Sequence, residues 1–503
     1  MLNDSLGATA LQENHSPTLS SDEIPLTDIY SFLSENDDAE AFRRWVELSA
    51  PADTSRLNAR HWLAQQIALI DEQISEQIDA VLHHRRFQSL EAAWRGVWFL
   101  VDAVVNPENT RIRLLDASWK DLARDMERSP DFDQSGLFHL LYNEEFGTPG
   151  GNPFSVLLGD YYVAHRPYED HKIDDVFTLQ GISRAAAAAF CPFVCSAAPQ
   201  LFGLDNFDNL GLHIHVDEVF RSTDYVRWRA MREHEDSRFL ALTLPQVLMR
   251  EPYQDNRRSR SGLRYNESVT GKDNRRYLWG NACFALGTVL IREFSEVGWF
   301  SHIRGVPRDH NGGGLVTQFP SPKYRTDSTK AMVKMVTSVT ITDQFERELS
   351  DHGMIALCHC FQTPFAVFNN CPSLQIPKSY SKKSATANAR ISSMLQQILC
   401  GSRVAQYIKV IVRDKVGSYT TAESCERFLQ NWLDQYTTGR DDLSWEMMAR
   451  YPLREARVVV DEDPAKPGYY NSMVHLKTHY SVDHLVSELK LTTSLSQIDI
   501  GKV

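Results

Sequence analysis

A chain of 503 residues that is 42% hydrophobic and 23% charged is long enough for two or three domains with sizeable cores. Its 53 Lys and Arg against 65 Asp and Glu leave a net charge of −12, which argues against a dedicated nucleic-acid binder, because phosphate neutralisation needs positive charge. No run of 18 apolar residues and no basic-then-apolar leader is present, and eight scattered cysteines are too few for a disulfide framework, so membrane insertion and secretion are not expected and a reduced, cytoplasmic protein is.

Residues 1–21 are rich in Ser, Thr and Asn and read as a flexible tail. Pro25 then suits a first helical turn, and Leu26, Ile29, Tyr30 and Leu33 recur at helical spacing before the polar break Ser34–Asp38. This short amphipathic helix can dock on its own domain or enter a partner groove. A second helix is expected over 39–48, and a long one over 58–84. Its stripe of Leu63, Ile67, Ile70, Ile74, Ile78 and Val81 reads as a buried face.

From 111 to 300 the pattern alternates. Strands are expected at 111–117, 154–163, 193–198 and 239–244, with helices at 172–190, 222–235 and 279–297, the signature of an α/β layer structure. Residues 305–328 read as loop, 333–342 and 354–360 as strands, and 343–352 as a helix ended by Gly353. The last third opens with helices at 385–413 and 423–436. It closes with alternating segments: one around Val458, Val459 and Val460, one running through Tyr470, Val474 and Leu476, one through Leu489 and Leu491. A Pro467-Gly468 turn joins the first two, and a terminal strand of this kind offers an edge to another chain.

The chemistry-bearing residues do not converge. Cys358 and Cys360 would point to one side of a strand and His359 to the other, so the three cannot grip one metal. His213 and His215 would share a strand face without a third ligand. The glycine clusters at 147–151 and 312–314 match no phosphate-binding loop and read as tight turns. The segment 257–276 is basic, reads as a solvated loop, and has an acidic protein surface as its alternative partner. No catalytic, cofactor or metal site is expected, and an assembly component is.

Several long stretches carry a family resemblance. They include IDEQISEQIDAVLHHRRFQSLEAAWRGVWFLVD (70–102), EEFGTPGGNPFSVLLGDY (144–161), AAAAAFCPFVCSAAPQLFG (185–203), YVRWRAMREHEDSRFLALTLPQVLMREPY (225–253), YLWGNACFA (277–285), ITDQFERELSDHGMIAL (341–357), ATANARISSMLQQIL (385–399), RDKVGS (413–418) and PGYYNSMVHLKTHY (467–480). In this order the chain resembles the large subunit of the bacterial type VI secretion contractile sheath, the TssC or VipB family, from about residue 60 to 495. The resemblance implies a structural, non-enzymatic protein that pairs with a small sheath subunit (TssB or VipA). The pairs stack as six-fold rings into a helical sheath around a tube of Hcp, and contraction ejects the tube. A ClpV-type AAA+ ATPase then dismantles the contracted sheath.

Mapped onto this chain, the resemblance implies a mixed α/β fold with central mixed sheets and flanking helices. It implies a flexible arm over 1–57, a large-subunit domain over 58–375, and a C-terminal domain over 376–503 whose antiparallel strands are shared between subunits. Val458–Val460, Tyr470, Val474, Leu476, Leu489 and Leu491 fall in those strands. Leu26, Ile29, Tyr30 and Leu33 occupy, by position, the helix that the ATPase recognises. The alternative is a non-polymerising sheath paralogue acting as an accessory or baseplate-associated protein.

Overall fold

The structure, a computed structural model, describes residues 26–49, 59–148, 150–212, 214–255, 262–269, 274–307, 312–321, 323–324, 332–333, 335–414, 422–440, 442–462, 470–482 and 485–495. The tail at 1–21, the Pro467-Gly468 turn, His213 and residues 257–261 and 270–273 of the basic segment lie outside these residues. The chain divides into two compact units, Met1–Glu76 and Gln77–Val503.

The first unit holds α1 (Leu26–Leu33), α2 (Asp38–Ser49) and most of α3 (Ala59–Leu82). The helix over 58–84 is present, but its stripe is not buried. Ile67, Ile70, Ile74 and Val81 are all 39–56% exposed. Helical spacing shows that a helix has an apolar face; it does not say that the same polypeptide covers it.

The second unit is built on a six-stranded sheet. Its strands are β1 (Leu157–Val163), β2 (Phe193–Ala197), β3 (Leu240–Leu244), β4 (Leu315–Val316), β5 (Met354–His359) and β6 (Ala366–Phe368), in the order β1-β2-β3-β5-β6-β4. The first four in that order run parallel, and β6 is antiparallel to both neighbours. Alternation along each strand divides the core. Phe193, Cys195, Leu240, Leu242, Met354 and Ala356 face one cluster; Val194, Ala241, Ile355 and Leu357 face the other.

Between β1 and β2 lies helix Asp175–Ala188, which covers the first face through Val176, Leu179 and Ile182. Asp175, wholly buried, accepts from the Trp119 indole (2.7 Å) and the Ala164 amide (2.8 Å) and sits 2.6 Å from His171 Nε2. A buried carboxylate is tolerable because every direction it faces supplies a donor. The same contact seats the 119–128 helix, whose start is a Ser118/Asp121 capping box.

The second face is covered by the helix Ala282–Val297, buried continuously from Ala282 to Leu290. Asn281 caps it: Oδ1 accepts from Cys283 N (2.9 Å), and Nδ2 donates to Tyr161 O (3.1 Å) on β1. On its far side lies α4 (Arg85–Asp102). Gly96 sits where an added Cβ would fall 2.4 Å from the Phe284 ring, so only glycine lets the two helices meet this closely.

The C-terminal third makes a smaller core. The helix expected at 385–413 is two, Lys383–Ser392 and Leu395–Asp414, broken where Ser393 Oγ donates to Arg390 O and Leu395 N turns away to Cys371 O. With the helix Ala422–Asp434, the second of these packs on a three-stranded antiparallel sheet of β7 (Leu453–Glu462), β8 (Tyr470–Val482) and β9 (Leu485–Leu495), with β8 central. Trp299, from the loop after the 282–297 helix, completes this core against Tyr436 (5.2 Å) and Tyr407 (6.1 Å).

Two expected strands are not strands. Residues 111–117 join no sheet: Ile112 and Ala117 touch the core, while Leu114 and Leu115 between them are exposed. Of 333–342, only Met332–Val333 pairs, with Lys323–Tyr324, and Thr337 makes one bridge to Val247; the end of the segment caps the next helix through Thr342. The other expected helices and strands of 154–300, 343–352 and 354–360 are present within a few residues.

Asn281→Ala removes the cap and two ties to β1 and to Ser196. It is expected to cost about 1–3 kcal/mol, read as a lower midpoint of chemical denaturation.

Candidate assembly surfaces

α1 and α2 form a helical hairpin. The Phe32 ring lies 5.3 Å from Trp45, and Arg44 donates to Ser31 O (3.2 Å) while pairing with Glu35 (3.0 Å). Leu26 and Ile29 fall in the first turn and a half of α1. Tyr30 and Leu33 point outward, 69% and 68% exposed. Of the two readings of this helix, docking and display, the hairpin accommodates both: Phe32 is used within the chain, and Tyr30 and Leu33 remain free.

The eight C-terminal strand residues come together in one sheet. Val458 lies opposite Val474, which lies opposite Leu491; Leu476 lies opposite Leu489, Val459 opposite Met473, Val460 opposite Ser472, and Tyr470 opposite Glu462 and Leu495. Val458, Val460, Val474 and Leu476 face the core. One edge of this sheet is occupied. Gln430 accepts from Val458 N (3.0 Å) and donates to Ala456 O (3.0 Å), and Glu426 accepts from Val460 N (3.1 Å). The 422–434 helix thus fills, with side chains, backbone positions that another strand would otherwise use. Glu426 and Gln430 were not singled out from sequence; their i, i+4 spacing beside a strand was the available signal.

The remaining polar features are structural. Cys358 faces the core, His359 the other way, and all eight cysteines are free thiols; burial pushes Cys358 up to about 12. His215 does not lie on a strand but precedes the short helix Val216–Arg221. Among the described residues, no three His, Cys, Asp or Glu side chains could hold a metal. Both glycine loops are closed around an arginine. Arg413 donates to the carbonyls of Glu145, Phe146, Thr148 and Gly151 at 2.9–3.4 Å, and Arg292 to those of Leu315 (2.6 Å) and Gly313. A loop whose carbonyls face inward presents acceptors, which is the wrong polarity for phosphate.

In the described part of the basic segment, 262–269, the anchor is Glu267. Glu267 is buried with Arg250, which also reaches Glu91 on α4 (2.8 Å) and stacks on Tyr253 (4.4 Å). Tyr253 N (3.0 Å) and His83 (3.3 Å) complete the shell of Glu267. Hydrogen bonds from Arg250 and Tyr253 outweigh desolvation and hold its carboxyl below the usual range.

Glu293 is an electrostatic liability, as is Asp160, whose carboxyl burial lifts to about 6. Burial lifts the Glu293 carboxyl to about 7, partly offset by the His302 amide (2.9 Å). The His302 ring stacks on Trp445 at 3.7 Å, and burial lowers it to about 4. Together they join the 282–297 helix to the C-terminal third.

Among the described residues the surfaces thus offer a guarded strand edge and apolar helix faces. Comparison with known proteins gives the class: two tail-sheath family models match in sequence order. The EvpB/VC_A0108 tail sheath N-terminal domain covers residues 64–375, and the EvpB/VC_A0108 tail sheath gpW/gp25-like domain covers 384–495. The chain belongs to the VipB family of tail-sheath proteins, the TssC/VipB proteins of type VI secretion. It is 36% identical over 432 residues to the type VI secretion system sheath protein TssC1 of Pseudomonas aeruginosa, covering 85% of each chain. The cryo-EM structure of the anti-feeding prophage baseplate aligns over 71% of this chain and 74% of its own at 11% identity and a TM-score of 0.32, too slight a likeness for argument.

Glu293→Gln keeps the acceptor and removes the titration. A carboxyl raised in the folded state contributes stability that is present below its unfolded value near 4.5 and is lost as pH rises through about 7. The variant should match the parent near pH 4.5 and exceed it above pH 7 by up to about 3 kcal/mol in denaturant melts. Equal stability at pH 8 would contradict the assignment.

Proposed function

We propose that this chain is the large structural subunit of a type VI contractile sheath. It pairs with a small sheath subunit in the cytoplasm, polymerises as six-fold rings around an Hcp tube, and drives the tube outward by contracting, without catalysis of its own. The collinear match to both sheath domains, with 36% identity to a named sheath protein across 85% of the chain, carries this reading. No helix among the described residues is long and apolar enough to cross a membrane, which suits a machine that pushes another protein through the envelope.

Backbone pairing in the C-terminal sheet is the proposed tether between neighbours. Strand ladders hold position while side-chain interfaces repack, as a contracting lattice requires. Sharing strands then means either adding to a free edge or exchanging β9 between chains, since within one chain β7, β8 and β9 already pair. The α1 helix, with Leu26, Ile29, Tyr30 and Leu33, is the proposed handle for a ClpV-type ATPase.

Co-expression with the small subunit followed by negative-stain microscopy should give hollow, cogwheel-ended tubes. Discrete complexes alone would point to a non-polymerising paralogue. Truncation after Tyr451 should abolish tubes, and tubes from that truncation would remove the tether. Leu26→Asp with Ile29→Asp should leave tubes intact and slow ATPase-driven disassembly at least several-fold. Unchanged disassembly rates would overturn the handle.

A further inference from the structure

The helix Leu395–Asp414 has two opposite faces. Cys400, Val404 and Ile408 are buried in the core of the C-terminal sheet. At about 100° per residue, Gln406, Lys409 and Arg413 fall within about 60° of one another, roughly opposite that set. This second face meets residues of the tail-sheath N-terminal domain, and it meets them with donors and charge. Gln406 Nε2 donates to the carbonyls of Phe154 (2.6 Å), Phe190 (2.9 Å) and Ala189 (3.3 Å). Lys409 Nζ lies over the rings of Tyr142 (4.9 Å), Phe190 (4.9 Å) and Phe146 (5.4 Å). Arg413 enters the loop after Phe146. At its start, by contrast, the helix is fixed in the central core by the packing of Leu395 and Leu399.

The loop is shaped to receive Arg413. Helical turns run from Gly136 to Phe146, and the last carbonyls of that run have no following turn to donate to them. Two of these, Glu145 O and Phe146 O, turn with Thr148 O toward Nη1 of Arg413 at 2.9–3.4 Å, while Gly151 O accepts from Nη2 at 3.3 Å. A Cβ on residue 151 would fall 2.3 Å from Glu145 O, one of the four acceptors, so the cradle closes only with glycine there. The buried Glu145 carboxylate braces it from behind by accepting from Arg113 and from Asn152 N (2.6 Å). The negative end of the 136–146 run adds to the attraction for a cation. Four acceptors spread over two nitrogens fit a planar fork. An ammonium carries its donors on one atom, and a calcium ion would draw the oxygens in to about 2.3–2.6 Å.

We propose that residues 145–151 form a guanidinium receptor, and that Arg413, its resident ligand, is the fastening that docks the last two turns of the 395–414 helix. The second matched domain supplies the ligand and the first supplies the receptor. When Arg413 is absent, the cradle takes a free guanidinium ion. The site is complete within one chain and needs no neighbour.

Hydrogen–deuterium exchange of the full chain reads both sides of the joint. Arg413→Ala should speed exchange about ten-fold or more at 144–152 and at 406–414. Unchanged exchange at 144–152 overturns the receptor, and unchanged exchange at 406–414 overturns the fastening. Guanidinium chloride at about 20 mM, far below denaturing concentration, should return 144–152 of this variant to the parent rate and leave 406–414 fast, because the ion is not tied to the helix. The same concentration of potassium chloride should do neither; equal recovery in both salts overturns the receptor. Arg413→Lys keeps the charge without the fork and should exchange as Arg413→Ala does. Parent-like protection in Arg413→Lys overturns the guanidinium assignment even if Arg413→Ala proves misfolded.

Discussion

One helix with almost no polar surface dictates the arrangement of the second unit. Residues 282–290 are buried without interruption, so Ala282–Val297 needs cover on every side. The parallel sheet supplies one side and α4 the other. That demand explains why α4 turns small residues inward, why Gly96 meets the Phe284 ring, and why the cap at Asn281 is itself buried and bonded to β1. Arg250 then fixes the outer assembly by holding Glu91 of α4 and Glu267 of the basic segment in one desolvated cluster. Removing one partner there would strand a buried charge, which is more costly than the pair is stabilising.

Much of the architecture was legible in the sequence because burial repeats at the period of the backbone. The strands at β2, β3 and β5 were readable from short apolar runs, and Gly353, at φ 76, from its place after a helix. The opposed faces of Cys358 and His359 follow from strand alternation alone. The failures share a cause. Residues 111–117 and 333–342 have strand-like composition, but a strand exists only when a partner strand is beside it, and that is a tertiary fact. The break at Ser393 depends on Cys371, more than twenty residues away in sequence.

The surface features were harder to see for a related reason. The apolar stripe of α3 is indistinguishable, as a string, from the stripe of a core helix; only exposure separates them. The eight residues singled out in the C-terminal strands fall in three strands that pair within one chain. Glu426 and Gln430 did not stand out, because a glutamate and a glutamine on an amphipathic helix read as ordinary solvent-facing residues. Their meaning comes from the backbone amides of Val458 and Val460 that they cover. Guarding one edge in this way gives the sheet a direction: a strand arriving there must first displace side chains, while none of those bonds involves β9.

The arginine inside the 147–151 loop carries a consequence for how the chain is made. Arg413 lies 262–268 residues after the carbonyls it binds. At about 5–20 residues per second, that separation is roughly 15–50 s of synthesis. Trp299 likewise waits for Tyr407 and Tyr436 before its core exists. During synthesis the glycine loop therefore exists before the arginine that closes it, and the late helix acts as the latch. Timing, as well as sequence, then decides when a subunit of this kind becomes fit to join a lattice.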